Sequence, residues 1–241
     1  MANQTTRYAM QLSYLGSDFS GWQKQKNRTN TIQGHCQAAL ERIAQHPIKL
    51  ICAGRTDAGV HAACQIVHFD SDANRSQNQW LRGLNGLLPK SIRAHWVQQV
   101  SNEFHARFSA IERHYHYQIA LNATQSALDH PTHLWVPYAL DLAAIREALS
   151  HWVGQHDFSS FRASGCQAAS PIRQLYRADA IITDNILTLS FEANAFLYHM
   201  IRNMVGTLMV IGRGLQPPTY AQTLLDLRDR TQAPKTAMAR G

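Results

Sequence analysis

Residues 175–192, LYRADAIITDNILTLSFE, decide the class of fold. They contain two runs rich in apolar and β-branched side chains, 175–183 and 186–192, which predict two strands. Asp184 and Asn185 alone separate the runs, and a two-residue connection of this kind is typical of an antiparallel hairpin. A parallel pair would need a crossover of about a dozen residues or more. The sequence therefore predicts an antiparallel sheet in this part of the chain.

Helical patterns alternate with further strands on both sides of this hairpin. Thr31 before an apolar stripe, and Ser76 with Gln79 in a capping box, predict two helix starts. Asp141 predicts a third start, and the apolar residues of 197–208 form a fourth helical stripe. Apolar runs and alternation predict further strands at 8–14, 48–53, 63–69, 92–97 and 113–121. Together these patterns predict an α+β protein.

The two halves of the chain carry comparable mixtures of strands and helices. The segment DFSGW at 18–22 has an echo in DFSSF at 157–161, which is compatible with an internal duplication or with chance. A chain of 241 residues and 27.1 kDa lies near the upper limit for one hydrophobic core. We therefore expect two α+β halves, 1–105 with the loop of Asp57 and 106–241, closely packed as one catalytic unit.

The charge balance favours a polyanionic partner. Lys and Arg number 23 against 16 Asp and Glu, which gives a net charge of +7 and a pI near 9.5. Nucleic acid leads the candidate partners, and ordinary solubility is the alternative explanation of the charge.

The cysteines and the apolar runs indicate the compartment. Four cysteines without a C-x-x-C pair indicate reduced thiols rather than a zinc site or a secreted disulfide framework. The N-terminal residues lack a signal peptide, and no apolar run approaches the roughly 20 residues of a membrane span. We expect a cytoplasmic protein with no membrane partner.

The loop GRTDAGVH, residues 54–61, holds the densest group of chemically active side chains. If its backbone is extended, Arg55 and Asp57 project on one face, because side chains alternate along a strand. A neighbouring guanidinium favours the ionised carboxylate, which a nucleophilic or general-base aspartate requires. The alternative is a surface turn, in which such an ion pair contributes under about 1 kcal/mol. The glycine and lysine spacing of nucleotide-binding loops is missing, so no nucleotide cofactor is expected.

Basic and aromatic residues recur elsewhere. In the strand RHYHY, Arg113, Tyr115 and Tyr117 share one face, which suits phosphate contacts and base stacking, with half-buried tyrosines as the alternative. Arg107 lies just upstream beside an aromatic residue, and Arg202 lies at the edge of the last apolar stripe, facing either a cleft or solvent. The 13 histidines show no metal-ligand spacing, so no metal is expected.

Six stretches match one known family in order. They are YLGSDFSGWQKQ (14–25), TIQGHCQAAL (31–40), AGRTDAGVHA (53–62), FHARFSA with RHYHY (104–117), DFSSFR (157–162) and FEANAFLYHMIRNMVG (191–206). Through these stretches the chain resembles the bacterial tRNA pseudouridine synthase A family over nearly its whole length.

The resemblance implies a fold and an activity. Its fold has two similar α/β subdomains whose antiparallel sheets join side by side around a central basic cleft. Its activity is the isomerisation of uridine to pseudouridine at positions 38, 39 and 40 in the anticodon stem-loop of tRNA, by a homodimer without a cofactor.

The resemblance also implies roles for single residues. Asp57 takes the position of the family's catalytic aspartate, Arg55 that of the arginine in the same motif, and Arg202 that of the arginine that approaches the aspartate. The residues that we expect to bind substrate are Tyr115, which matches the family's tyrosine beside the base, Arg107 and His61.

The end of the chain departs from the family pattern. Met238 stands where the family has proline, and family members generally continue beyond the position of Gly241 into a final strand. We expect this chain to lack that strand and an apolar residue that lines the pocket. An RNA-binding or RNA-chaperone module without catalysis is the alternative function, and a hydrolase is disfavoured because a paired carboxylate motif is missing.

Overall fold

The computed structural model describes residues 5–128 and 130–241. The chain divides into two compact units, Met1–Ala110 and Ile111–Gly241, and each unit has its own sheet and hydrophobic core. Both units contain strands and helices, which confirms the predicted α+β class. The four cysteines are free thiols, as predicted. Within the described residues, no helix has the length and apolar character needed to cross a membrane.

The first unit combines an antiparallel sheet of four strands with two helices. Its elements are β1 (Thr6–Tyr14), α1 (Ile32–Ala44), β2 (Ile51–Cys52), β3 (Ala62–Ser71), α2 (Gln77–Leu87) and β4 (Ile92–Gln99). The strand order is β2-β3-β1-β4. Alternate residues of β1, among them Met10 and Leu12, are buried in one cluster with the apolar residues of both helices. The helices therefore cover one face of this sheet.

The predicted starts of both helices are confirmed. The Thr31 side chain accepts a hydrogen bond from the Gly34 N–H at the start of α1. At α2, Ser76 accepts from the Gln79 N–H, while the Gln79 side chain accepts from the Ser76 N–H. Each cap satisfies N–H groups that the first helical turn leaves without an internal partner.

The predicted strand at 48–53 is wrong in its length, because β2 contains only Ile51 and Cys52. Ile48 and Leu50 are buried as the apolar pattern predicts, and their carbonyl groups accept hydrogen bonds from side chains. Gln37 Nε2 on α1 donates to the Ile48 carbonyl at 2.7 Å, and a second α1 glutamine donates to the Leu50 carbonyl at 3.1 Å. Contacts with a helix of this kind leave no periodic signal in the local sequence.

The second unit combines a five-stranded sheet with three helices. Its elements are β5 (Arg113–Ala120), β6 (Leu134–Trp135), α3 (Leu142–Ser150), β7 (Gly154–Asp157), β8 (Ile172–Thr183), β9 (Ile186–Ala193), α4 (Met200–Gly212) and α5 (Tyr220–Leu227). The strand order is β6-β5-β9-β8-β7, in which the short β5–β6 pair is parallel and the other pairs are antiparallel. The three helices share one buried cluster with β5, β8 and β9.

The hairpin that decides the fold is confirmed. Asp184 and Asn185 adopt positive φ values of 51° and 61° between β8 and β9. Two such residues give the type I′ turn, whose twist matches that of the flanking strands. Asp and Asn tolerate this left-handed conformation better than most residues other than glycine, so the pair is suited to this turn.

Several elements of the second unit escaped prediction or begin elsewhere. β6 and β7 contain two and four residues, which is too short for a periodic signal, and α5 lacks a side-chain cap. The helix expected from residue 197 begins at Met200, because His199 adopts a left-handed φ of 59° immediately before it. Leu197 is nevertheless buried, so the apolar stripe includes a residue outside the helix.

The echo between the two halves does not extend to local structure. Residues 18–22 form turns and bends between β1 and α1, whereas 157–161 run from the end of β7 into the short 3-10 helix Ser159–Phe161. An internal duplication stays a prediction.

Candidate active site

The loop between β2 and β3 carries Arg55, Asp57 and His61. Residues 55–57 have no regular secondary structure, and the chain turns directly after them, where the Val60 N–H donates to the Asp57 carbonyl at 3.2 Å. Gly59 within this turn has a φ of 84°, which favours glycine. Asp57 is partly buried and Arg55 is exposed. The loop therefore presents the aspartate at the entry to a tight turn.

A second loop, between β1 and α1, holds the Asp57 loop by backbone contacts. The Trp22 N–H donates to the Thr56 carbonyl at 3.0 Å, next to Asp57. A Cβ at Gly21, whose φ is 85°, would lie 2.9 Å from both the Thr56 carbonyl oxygen and the Ala58 nitrogen. The two backbones thus approach too closely for a side chain. This contact explains why the motif DFSGW needs its glycine.

Side chains from the strands fix the start of the same loop. Gln65 on β3 is 6% exposed and binds Gly54 twice, through Nε2 to the carbonyl at 2.6 Å and through Oε1 from the N–H at 3.3 Å. Gln65 Nε2 also lies 3.3 Å from the Tyr14 hydroxyl, which is 2.8 Å from Thr56 Oγ1. Sequence reasoning missed Gln65. The signal that could have found it is a polar residue two positions before the buried Val67, on the same face of β3.

The His61 ring forms a hydrogen bond with the β1–α1 loop. Nδ1 accepts a hydrogen bond from the Gly16 N–H at 3.1 Å, so the neutral imidazole carries its hydrogen on Nε2. A Cβ at Gly16 would overlap the Val60 carbonyl oxygen, so the loops also contact each other here. His61 thereby helps to orient the loop that carries Asp57.

Arg107 belongs to a compact basic and aromatic cluster in the first unit, formed by His105, Arg107 and Phe108. His105 Nδ1 accepts from the N–H groups of Arg107 and Phe108 at 3.2 and 3.3 Å, and the His105 and Phe108 rings stack with centroids 4.3 Å apart. The Arg107 guanidinium lies 5.6 Å from the Phe108 centroid. Phe108 is 75% exposed, so this cluster offers an aromatic face and a cation to solvent.

The buried histidine His68 forms a hydrogen bond with the backbone next to this cluster. His68 Nδ1 accepts from the Ala106 N–H at 3.1 Å, and the ring is 2% exposed. Burial lowers the pKa of His68 to about 4, with smaller contributions from His105 and Arg7. The ring is therefore neutral near pH 7 and able to accept this bond.

Tyr115 lies on β5 in the second unit. It is partly buried, stands opposite Phe191 in the β5–β9 ladder, and meets Phe196 edge-on with centroids 5.1 Å apart. Of the two alternatives for this strand, the structure favours tyrosines buried in the sheet, because Tyr115 is partly buried and Tyr117 is 3% exposed. Its face of β5 continues to the buried Ile119 and packs in the core. The exposed aromatic surface is correspondingly smaller.

Arg202 lies in the first turn of α4, also in the second unit, and is partly buried. Its Nε donates to the Ala237 carbonyl at 2.9 Å, and the Ala237 N–H donates to the Arg202 carbonyl at 3.0 Å. The arginine is thus held at the edge of the apolar stripe.

The two units divide the expected site residues between them. Arg55, Asp57 and His61 share one loop of the first unit, and Arg107 lies further along the same unit. Tyr115 and Arg202 belong to the second unit. Among residues 5–128 and 130–241, no group of three or more His, Cys, Asp and Glu side chains could hold a metal ion.

Comparison with known proteins identifies the family. A family model described as tRNA pseudouridine synthase matches residues 10–109 and 148–241. The tRNA pseudouridine synthase A of Chromobacterium violaceum is 48% identical over 98% of this chain and 90% of its own length. That of Alcanivorax borkumensis is 45% identical over 96% of this chain and 87% of its own length.

A solved structure of an unknown protein from Galdieria sulphuraria aligns with 88% of this chain and 94% of its own, at 12% identity. Its TM-score of 0.24 is too low to bear on the fold. The match to the family model includes the Asp57 loop and α4. This chain therefore belongs to the tRNA pseudouridine synthase family.

Proposed function

We propose that this protein isomerises uridine to pseudouridine at positions 38, 39 and 40 in the anticodon stem-loop of tRNA. The names of its relatives support tRNA as the substrate. The observation that carries the proposal is the way in which the β1–α1 loop holds the backbone on both sides of Asp57, at Thr56 and Ala58. A reacting carboxylate needs such a fixed position, because small displacements cost large factors in rate.

The reaction rearranges bonds without a net change in atoms. The bond from N1 to C1′ breaks, the base rotates, and C5 bonds to C1′. C5 then loses its proton and N1 gains one, so no oxidant, reductant or cofactor is required. Protein side chains have to supply only a charged group, proton transfer and positioning.

Asp57 is the essential carboxylate of this proposal. Its carboxylate either adds to the sugar or the base, or removes a proton from the sugar. Arg202, which is partly buried, and Arg55, which is exposed, are the cations that we assign to stabilising the ionised carboxylate in a partly shielded site. Partial burial of Asp57 supports a site of this kind.

Tyr115 is the residue assigned to the base. An aromatic ring stacks on a pyrimidine, and a phenol can receive the C5 proton or pass it on. Its contact with Phe196 limits the movement of the ring.

The remaining residues bind RNA. A paired or stacked uridine has to be flipped out of its helix at a cost of about a few kcal/mol, which backbone contacts must offset. Arg107 with Phe108 suits a phosphate and a stacked base, and His61 has Nε2–H as a donor in its neutral form. The net charge of +7 favours the same contacts.

Three broader features complete the proposal. Residues of both halves, 1–105 and 106–241, take part in the reaction. The protein works as a homodimer in the cytoplasm. It needs no metal, cofactor or membrane.

Replacement of Asp57 by asparagine tests the activity. Asp57→Asn keeps the shape of the side chain and removes its charge, so we expect tritium release from C5-labelled uridine in tRNA to fall below detection while tRNA still binds. Asp226→Asn, an exposed position on α5, is the control and should retain wild-type release. Turnover retained by Asp57→Asn would exclude Asp57 as the catalyst.

The same assay separates the alternative function. Tight tRNA binding by the wild-type chain without any tritium release would favour an RNA-binding module. The exposed Phe108 beside Arg107 is the feature that such a module would use.

A further inference from the structure

A segment near the end of the chain, residues 235–238, lies along the N-terminal half of α4. It has no regular secondary structure, and it forms hydrogen bonds with α4, with β5 and with Arg230 of the same unit. The Arg202 and Ala237 backbones and the Arg202 side chain form the reciprocal pair of bonds described above. The 235–238 segment therefore contacts the arginine directly.

Asn203, the next residue on α4, connects this segment to the core. It is fully buried, and its Nδ2 donates to the Phe161 carbonyl at 2.7 Å. Its Oδ1 accepts from Thr236 Oγ1 at 2.7 Å and from Arg230 Nη2 at 3.1 Å. Every polar atom of this amide has a partner, which fixes its orientation and that of Thr236.

Two further contacts fix the segment on either side of Ala237, the residue that binds Arg202. A Cβ at Gly206, one turn along α4, would overlap the Lys235 carbonyl oxygen, so this close approach needs glycine. The Tyr117 hydroxyl donates to the Met238 carbonyl at 2.9 Å. Burial raises the pKa of Tyr117, so the phenol keeps the hydrogen that it donates.

From these contacts we infer that Asn203 and the 235–238 segment are a positioning device for the Arg202 guanidinium. The inference rests on the proposed function, in which Arg202 stabilises the reacting carboxylate. An arginine has four side-chain torsions, and a bond from Nε to a fixed carbonyl restricts the positions that its Nη groups can reach. Asn203 and Gly206 hold that carbonyl in place without contacting the reacting atoms themselves.

The alternative is that the segment only ties the end of the chain to the fold. Both roles would lower the melting temperature when the contacts are lost. They differ in whether the loss of activity depends on Arg202, which a double-mutant cycle measures.

Gly206→Ala is the direct test, because the added methyl displaces the Lys235 carbonyl while alanine favours the helix. The matched control is Gly86→Ala on α2, where an added Cβ has nothing within 4 Å. We expect kcat for tritium release to fall at least about tenfold in Gly206→Ala. The Kd for tRNA should stay within about twofold of wild type, since the surface cations are unchanged, and the control should match wild type in both quantities.

The cycle is completed by Arg202→Ala and the double variant. Arg202→Ala should lower kcat by about a hundredfold, and adding Gly206→Ala should then change kcat by less than about twofold. Losses that multiply in the double variant would reject the positioning role. Wild-type kcat in Gly206→Ala or in Arg202→Ala would reject it as well.

A milder variant keeps the test valid if Gly206→Ala fails to fold. Thr236→Val preserves the side-chain shape but removes two bonds of the Thr236 hydroxyl, the one that it donates to Asn203 and the one that it accepts from Arg230 at 3.1 Å. Thr223→Val on α5 is the control. The same dependence on Arg202 is expected, and a loss independent of Arg202 would contradict the inference. If the wild-type chain released no tritium, the proposed function itself would fail, which is a different outcome from additive losses in an active enzyme.

Discussion

His68 shows how one buried side chain sets the pH range of a local structure. Its ring accepts the Ala106 N–H and supports the cluster of His105, Arg107 and Phe108. Accepting that bond requires the neutral ring, and burial lowers the pKa of His68 from 6.5 to about 4. The histidine is a base whose charged form is favoured in the unfolded chain.

Stability should therefore depend on pH through His68. Between about pH 6.5 and 4 the unfolded chain binds a proton that the folded chain does not, so the free energy of unfolding falls as pH falls through this window. Above pH 6.5 His68 is neutral in both the folded and the unfolded chain, so its bond with Ala106 contributes fully to the free energy of unfolding. Chemical unfolding at several pH values measures the slope, and His68→Gln should make it shallower between pH 6.5 and 4 than in wild type. An unchanged slope would contradict the assignment.

At the scale of elements, the loop of Asp57 has its shape because another loop lies against it. The β1–α1 loop approaches within backbone contact at Gly21, and Trp22 donates to the carbonyl before Asp57. The geometry of Asp57 is thus determined by residues that are distant in sequence.

Gly21→Ala should disturb the contact between the β1–α1 loop and the Asp57 loop in two ways. The positive φ strains an alanine, and the Cβ would crowd Thr56 and Ala58, so we expect a loss of about 1–3 kcal/mol in the free energy of unfolding. Turnover should fall as well. Gly214→Ala is the control, because its φ is also positive but an added Cβ has nothing within 4 Å, so it should lose only about 1 kcal/mol and keep its turnover. Equal effects of the two variants would show that crowding is unimportant.

Local chemistry explains which elements could be predicted. The caps at Thr31, Ser76 and Asp141 and the turn at Asp184 depend on neighbouring residues, and the structure contains them. The carbonyls just before β2 bind helix glutamines, and Tyr117 lies against residues near the end of the chain, where Met238 accepts from its hydroxyl and Gly241 approaches its ring. Such long-range contacts leave no periodic signal in the sequence.

The residues of the candidate site also fall into those that the sequence predicted and those that it missed. The motif GRTDAGVH identified the chemically active loop, and the resemblance supplied roles for Tyr115 and Arg202. Gln65 and Asn203 were missed, because a buried amide is recognised by its partners and not by its neighbours in sequence. The roles assigned to the site residues stay predictions until activity is measured.

At the scale of the whole molecule, the excess of positive charge predicts salt-dependent binding. Each cation that neutralises a phosphate releases a counterion, so the affinity for tRNA should fall steeply as salt rises. Arg107→Gln should reduce the slope of log Kd against log salt by about 1 if Arg107 contacts one phosphate. Arg177→Gln is the control, since Asp179 and Glu192 already partner Arg177. A slope unchanged in Arg107→Gln would remove Arg107 from the phosphate contacts.

The short β2 strand has a consequence for association between molecules. A long sheet edge with unpaired N–H and C=O groups invites strands from other chains and promotes aggregation. β2 offers only two residues at its edge, and glutamines of α1 occupy the carbonyls of Ile48 and Leu50 just before it. The glutamines therefore protect the chain just before β2 against intermolecular β-pairing.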